Sequence, residues 1–413
     1  MKRRSALHVL EGLGIEIEYM IVRKDTLDIF PVSDEVIKSV TGRYSCDYES
    51  GNMGWSNEFV LHIIELKNIN PVLSLKGLSR AFPREINRIN RILDPLDGLL
   101  MPSGMHPWMN PRRETQLWPH RNRKIYEMYD QIFNCRRHGW ANLQSMHVNI
   151  AFNGDDEFKR LHAAIRLLLP VIPALASSSP IAGGKITGLH DTRLSYYRSN
   201  QRKVPSIMGR IIPEPVFTQA GYRKNILERM YRGIARYDPA GTLQHEWLNS
   251  RGAIPRFERN AMEIRVIDTQ ECPAANIAVA DMIVSVIRQL VSQQWTSIED
   301  QQAWKVSPLE AVFKDTIKAG ENAIIDNPRY LKMFGFPESK ARAGEVWKYL
   351  LEESMERIPL DAGSLNIINQ ILDQGTLSSR ILGALGKSPS HTELKEVYGR
   401  LCRCLARNEI FAR

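Results

Sequence analysis

The stretch that most limits how this chain can fold is Gly14 to Val22, which reads GIEIEYMIV. Ile15, Ile17 and Tyr19 fall on one side of an extended strand, Glu16 and Glu18 on the other. A period of two with β-branched residues predicts a half-buried strand. Its polar side carries two carboxylates, two residues apart, that point the same way. Like charges so placed raise each other's pKa unless something positive sits between them. On the wet face of an antiparallel sheet this costs little; in a cleft it needs a cation. The strand alone leaves both readings open.

Three further strands are predicted with matching chemistry. Asn57–Leu66 (NEFVLHIIEL) carries Glu58 and Glu65, seven apart. A regular strand would put them on opposite faces, so a shared site requires a bulge or a strand end between them. Ser145–Phe152 (SMHVNIAF) turns Met146, Val148 and Ile150 one way and Ser145, His147 and Asn149 the other. A lone histidine there also fits a structural, hydrogen-bonded role. Ala261–Asp268 (AMEIRVID) sets Glu263 and Arg265 against Met262, Ile264 and Val266. If these strands are neighbours, their polar sides line one surface. Five carboxylates enclosed there would repel severely, since unpaired buried charge costs several kcal/mol per ion. Divalent cations resolve this. Carboxylate oxygens with one imidazole and no thiolate suit Mg²⁺ or Mn²⁺, and Mg²⁺ commonly takes substrate phosphates as further ligands, which leads to a nucleotide.

The connecting segments are read as follows. Thr41–Gly54 is a connection rich in turn formers. Leu75 to Leu93 steps by three and four as an amphipathic helix that Pro83 should kink or delay. Met101–Trp118 is an irregular loop with three prolines, a histidine and paired arginines. A helix is expected over Arg121–His138, ended by Gly139. Ala174–Asn200 is the longest loop-like stretch; Gly183, Gly184, Lys185 and Gly188 could bring backbone amides to phosphate, without P-loop spacing. Arg193 and Arg198 are candidates for an anionic ligand. Pro273 opens an apolar helix to about Trp295, and the remainder is helical. Ser307 with Glu310, and Ser390 with Glu393, are spaced as capping boxes.

With 413 residues, the chain is long enough for one large domain with embellishments or for two. Hydrophobic content of 43% and charged content of 24% are those of an ordinary globular protein. No apolar run approaches the roughly 18 residues of a membrane span, and the basic start lacks an apolar leader core. The five cysteines include no CxxC pair. A cytoplasmic protein is expected. The net charge of +9 gathers at Arg112–Lys124, Arg136–Arg137 and Arg223–Arg236. These clusters lack the aromatics of a base-stacking platform, so small anions fit at least as well as nucleic acid.

Taken in order, these stretches resemble the glutamate–cysteine ligase/carboxylate–amine ligase family of the glutamine synthetase-like superfamily. GIEIEYMIV is similar to its GxExE strand, GMHPW (Gly104–Trp108) to its GTHPF-type loop, and SMHVNIAF to its HVH/HVN strand. ALASSSPIAGGKITGLHDTRLSYYRS resembles its ALSASSP…GxxTGxxSYR segment, and MEIRVID its IExRxxD strand. The resemblance implies an α+β fold in which a curved, mainly antiparallel sheet forms a funnel-shaped active site with helices packed outside. It implies a catalytic domain over residues 1–300, with 301–413 a helical extension packed on it. Glu16, Glu18, Glu58, Glu65, His147 and Glu263 would be metal ligands around two or three Mg²⁺ (or Mn²⁺) ions. Arg265 and Arg198 would contact ATP phosphates and the acyl phosphate, with Lys185 a further nucleotide contact. The family also spaces acidic residues seven apart on its second strand.

The implied activity is ATP-dependent amide formation between a carboxylate and an amine, with glutamate and cysteine the nominal pair. Small-molecule substrates are the expected partners, without nucleic acid or membrane, and homo-oligomerisation is left open. Asn149 stands where many relatives have a second histidine, and the arginine-rich loop at 101–113 departs from the common form; both bear on the substrate. The rivals are a guanidino-kinase-like phosphotransferase, a non-catalytic nucleotide-binding homologue and a basic nucleic-acid binder.

Overall fold

The computed structural model describes residues 7–357 and 359–412; the basic start of the chain, residues 1–6, lies outside the described residues. Its centre is an eight-stranded antiparallel sheet formed by β1 (Leu13–Arg23), β2 (Asp47–Ser50), β3 (Met53–Asn57), β4 (Ile63–Asn68), β5 (Gly98–Met101), β6 (Ser145–Ala151) and a later pair. A two-stranded hairpin, β7 (Ile181–Ala182) and β8 (Lys185–Ile186), stands apart; the later pair is β9 (Ala253–Arg256) and β10 (Ala261–Asp268). The main order is β2-β3-β4-β1-β6-β10-β9, with β5 paired to the end of β1. The strand that organises the sequence is thus the middle of the sheet.

Burial divides the sheet into two faces. Ile15, Ile17 and Tyr19 of β1, Met146, Val148 and Ile150 of β6, and Met262 and Ile264 of β10 are buried in the main core. The helices Leu78–Leu93, Gly154–Leu168 and Pro273–Val291 contribute to that same core. The Tyr19 hydroxyl takes a hydrogen bond from the Asn276 amide on the last of these (3.3 Å). The alternate residues of the same strands carry the charges onto the opposite face. Mixed helix and antiparallel sheet is therefore the architecture, as the alternation requires.

Several expectations need correction. Asn57–Leu66 is the end of β3, a turn and the start of β4, so Glu58 lies just past a strand end and the parity conflict with Glu65 disappears. The 41–54 connection holds the β2–β3 hairpin, which turns at Gly51 and Asn52. The helix expected over Arg121–His138 covers Arg123–Phe133 and is closed by Asn134 in the left-handed region (φ 54°), not by Gly139. Pro83 lies inside a helix that starts late, at Leu78. In the 174–200 stretch, Gly183 and Gly184 have φ of 58° and 74° and make the tight turn of β7–β8, the conformation a two-residue hairpin loop demands. The Ser390/Glu393 capping box is present. Ser307 instead falls inside the helix Val306–Ala319, and Glu310 pairs with Arg210 and Lys314.

The helix Pro273–Val291 is 19 residues long and apolar enough to cross a membrane by length and composition, contrary to the expectation that no run comes close. In the fold, 83% of that apolar window is buried, which makes it a core helix. Beyond residue 300, helices at Val306–Ala319, Ala343–Arg357, Ala362–Gln374 and His391–Arg407 follow. This region docks through specific contacts: Thr316 Oγ1 donates to Pro170 O (2.6 Å), Trp347 Nε1 to Val171 O (2.8 Å), and Arg380, on the short helix Leu377–Gly383, forms a buried ion pair with Glu271.

Candidate active site

Strand register sets the polar residues in rows across one face. Glu16 stands between Lys67 of β4 and His147 of β6. Glu18 is directly opposite Glu65, and Glu263 opposite Asn149. Directly opposed residues share a face and touch, so alternation along each strand and register between strands together build a single charged surface.

The contacts are short. His147 Nδ1 lies 3.2 Å from Glu16 Oε2 and 3.7 Å from Glu263 Oε1. Arg256 Nη1 donates to Glu263 Oε2 (2.7 Å), and Arg265 Nε lies 3.1 Å from Glu263 Oε1. Across the row, Glu65 accepts from Ser56 Oγ (2.7 Å) and Lys67 Nζ (3.1 Å). Glu18 accepts from the Ser145 backbone N–H (2.6 Å), while Ser145 Oγ is 2.9 Å from His147 Nε2. Glu58, from the β3–β4 turn, faces Glu18 and Glu65, with the Phe59 backbone N–H at 3.4 Å.

Electrostatics separate these carboxylates into two groups. Burial alone would raise Glu16, but the hydrogen bond with His147 holds it below the ordinary carboxylate value. Burial also opposes ionisation of Glu263, and Arg265, His147 and Arg256 outweigh it. Glu18, by contrast, is raised by burial, with Glu65 adding to it against the pull of His147. Burial pushes Glu58 well above the usual range, and the neighbouring Glu18 and Glu65 push it further. The positive groups near Glu18 and Glu58 thus fail to offset burial and like charge, unlike those on the Glu16–Glu263 side.

That deficit fits a divalent cation. Two sets of potential ligand atoms, Glu16–His147–Glu263 and Glu18–Glu65–His147, each lie within 4.8 Å of one another. Oxygen donors with one shared imidazole form a hard-ligand set of the kind Mg²⁺ and Mn²⁺ accept. Glu58 is outside both sets but lines one cavity together with Glu18 and His147.

The cluster lies between two cavities. One, about 300 Å³, is floored by Glu18, Glu58, His147 and Arg265 and walled by aromatic rings, among them Phe59, Tyr126, Tyr129, Trp140 and Trp247. The other, about 540 Å³, opens on the Glu16 side beside Gly14, Asn68, Asn149 and Ala261.

Of the other residues singled out in the sequence, Arg265 is in the cluster, whereas Arg198 and Lys185 are not. Arg193 faces the first cavity from the helix Thr192–Tyr197. Arg198 follows five positions later, about 140° further round a helical turn, and extends to Glu310 (3.8 Å). Lys185 is exposed on the β7–β8 hairpin. Arg193 is also braced at the first cavity: it forms a buried ion pair with Asp268 and donates to the Arg265 carbonyl (3.4 Å). Asp268 also accepts from Ser178 N (2.8 Å) and Ser179 Oγ (2.7 Å), which accounts for the serine run. A Cβ at Gly104 would come within 2.6 Å of the Asp268 carboxylate, so glycine opens the GMHPW loop. His106 in that loop is buried, accepts from Met109 N (2.9 Å) and pairs with Leu27 O (2.8 Å). Burial lowers its pKa to about 4, and its role is structural.

Sequence reasoning missed Lys67, Arg256 and the aromatic wall. Lys67 carried a signal, since it sits two residues from Glu65 and so on the same face. Arg256 lies in a four-residue strand containing Pro255, too short and too interrupted to stand out; as an edge strand, β9 tolerates the proline.

Comparison with known proteins bears on family and fold. A family model described as glutamate-cysteine ligase family 2 matches residues 12–320. An uncharacterized protein of Archaeoglobus fulgidus is 32% identical over 97% of this chain and 100% of its own length. A Rubrobacter xylanophilus protein provisionally named a glutamate–cysteine ligase is 25% identical over 65% of this chain and 66% of its own. The crystal structure of a glutamate–cysteine ligase from Francisella tularensis in complex with AMP superimposes with a TM-score of 0.62 at 13% identity, covering 96% of this chain and 88% of that one; this is a likeness of fold. With the match running from β1 through β10, the chain belongs to glutamate–cysteine ligase family 2.

Proposed function

We propose that this protein is an ATP- and Mg²⁺-dependent carboxylate–amine ligase, which forms an amide through an acyl phosphate in a funnel-shaped site over the charged face of the sheet. The observation that carries the reading is the convergence of Glu16, Glu18, Glu65, Glu263 and His147 on one face, with Arg265 among them. Glutamate and cysteine are the nominal substrates. The five unpaired thiols suit the reducing cytoplasm in which such an enzyme would work.

The chemistry explains why so many charges are needed. A substrate carboxylate and the γ-phosphate of ATP are both anions, so attack of one on the other requires charge cancellation. Bound divalent cations supply neutralisation and orientation of the phosphates. Glu16, Glu18, Glu58, Glu65, His147 and Glu263 would hold them. Arg265 would neutralise the phosphoryl group in transfer. Its orientation is fixed by Glu263 on one side and by a hydrogen bond from Nη1 to Asn249 O (3.4 Å) on the other. Arg193, pinned to Asp268, supports the strand segment that presents it. The amine would then displace phosphate from the acyl carbon, with the aromatic walls excluding water that would otherwise hydrolyse the acyl phosphate.

A phosphate-release screen of amino-acid pairs with ATP and Mg²⁺ or Mn²⁺, with products identified by mass, tests the proposal. The expected result is ADP and phosphate only when both an acid and an amine are present, together with an amide product. A stable phosphorylated product formed from one substrate would instead indicate a kinase.

A further inference from the structure

Next to the aromatic chamber lies a second cavity of about 560 Å³ with a different character. Arg112, Arg136, Arg137 and His138 line it, together with Trp108 and Tyr196, and no carboxylate does. Its cations come from the two arginine-rich stretches that the ligase chemistry leaves unused, Arg112–Arg113 and Arg136–Arg137. The chambers are neighbours: Gly139 and Asn200 line both. There the two share a wall, in which the Asn200 amide donates to the Gly139 carbonyl and a Cβ at residue 139 would collide with Asn200.

The charges are only partly compensated. Arg136 lies 3.8 Å from Asp130 and donates to Thr115 O (2.9 Å). Arg137 donates to the Phe133 and Asn134 carbonyls (2.6 and 2.9 Å), which are neutral acceptors at a helix end. Arg112 is exposed, and its side chain has no ion-pair partner among the described residues. Three guanidinium groups therefore face one carboxylate. A concave surface of one sign concentrates counter-charge, and the guanidinium fork matches carboxylate and phosphate oxygens.

We propose that this cavity is a specificity subsite for an anionic group, carboxylate or phosphate, at the far end of the amine substrate. The amine itself lies beside Glu18 and Glu58, and its apolar or aromatic body fills the chamber between. The inference rests on the ligase reading, which supplies the amine; its own content is that the preferred amine is larger than cysteine and carries a distal negative charge.

Binding, rather than turnover, separates the two claims. Phenylalanine, 4-carboxyphenylalanine and O-phosphotyrosine share one scaffold and differ in the distal group. They are titrated calorimetrically into the full-length, Mg²⁺-loaded protein. The expected result is at least tenfold tighter binding of one or both anionic compounds than of phenylalanine, and which one leads identifies the group recognised. The preference should shrink as salt rises. Arg112→Glu, at an exposed position whose change leaves the fold intact, should reduce the preference to within twofold, and Arg136→Ala should reduce it as well. Equal affinities, a preference that survives Arg112→Glu, or no binding of any of the three at millimolar concentration would overturn the inference. Anion preference without amide formation in the phosphate-release screen would sink the ligase reading alone.

Discussion

On one side of the acidic cluster, Glu263 is gripped by Arg256 and Arg265, and Glu16 shares a hydrogen bond with His147. On the other side, Glu18 relies on Ser145, and Glu58 has a backbone amide at 3.4 Å with two carboxylates facing it. Both halves lie over the same face of the sheet, with Glu263 buried and Glu16, Glu18 and Glu58 half-buried. The difference is where the compensating charge comes from. The Glu16–Glu263 half is neutralised by the protein's own cations and is set before anything binds. The Glu18–Glu58 half ionises only at a cost, so its carboxyl groups hold a proton until an arriving cation displaces it. The first half behaves as scaffold and the second as receptor.

Opposite stability effects are the strongest way to break this contrast. Glu263→Ala leaves two partly buried guanidinium groups without their carboxylate and should destabilise the metal-free protein by about 3 kcal/mol. Glu58→Gln removes a carboxyl that burial and like charges disfavour. It should leave metal-free stability unchanged or higher, yet weaken divalent-cation binding at least tenfold. Urea unfolding in EDTA, paired with cation titration, reads both. Equal destabilisation by the two substitutions would end the distinction.

A pH series sharpens the contrast with a smaller effect. Glu16 and Glu263 are depressed in the fold, so the stability they give is present above the unfolded carboxylate value of about 4.3 and is lost as pH falls through their folded values. Glu18 and Glu58 are raised, so their contribution is full below about 4.3 and is lost as pH climbs through their folded values. Melting temperatures in EDTA should therefore fall at both ends. Adding Mg²⁺ should restore stability mainly at the higher pH, because the cation competes with protons for Glu18 and Glu58. Equal stabilisation by Mg²⁺ at pH 4 and pH 8 would count against this assignment.

The smallest effects belong to residues that sequence spacing singled out but the fold separates from the cluster. Arg198 is partly exposed and 3.8 Å from Glu310, and Lys185 is on an exposed hairpin. Arg198→Ala should cost under about 1 kcal/mol of stability, and either alanine variant should change turnover less than threefold in a steady-state assay. A hundredfold loss in either would return that residue to the active site.

What the sequence discloses here follows from how local each signal is. Alternation is a property of a single strand, so β1, β6 and β10 and their charged sides were readable from the residues alone. The β3–β4 turn was not, because apolar residues run through it: Phe59, Val60 and Leu61 mimic a continuous strand, with Val60 and Leu61 buried. The over-long helix at Arg121–His138 has a different cause. Gly139 is the first glycine stop signal, whereas the helix closes earlier, where Asn134 turns left-handed and Asp130 caps the Cys135 amide (2.7 Å). Register is a tertiary property, and with it the pairing of Glu16 with Lys67 and of Glu18 with Glu65. Arg256 and Arg193 were overlooked as supports for the same reason, since their partners Glu263 and Asp268 are reached only across strands or between a helix and a strand.

The most direct measurement is the electron paramagnetic resonance spectrum of Mn²⁺ titrated into the protein, with and without ATP. The wild type should remove Mn²⁺ from solution, more tightly once ATP is added. Glu18→Gln/Glu65→Gln should weaken that uptake at least tenfold in the absence of nucleotide. A wild type that takes up no Mn²⁺, or one whose uptake survives that double substitution, would contradict the account.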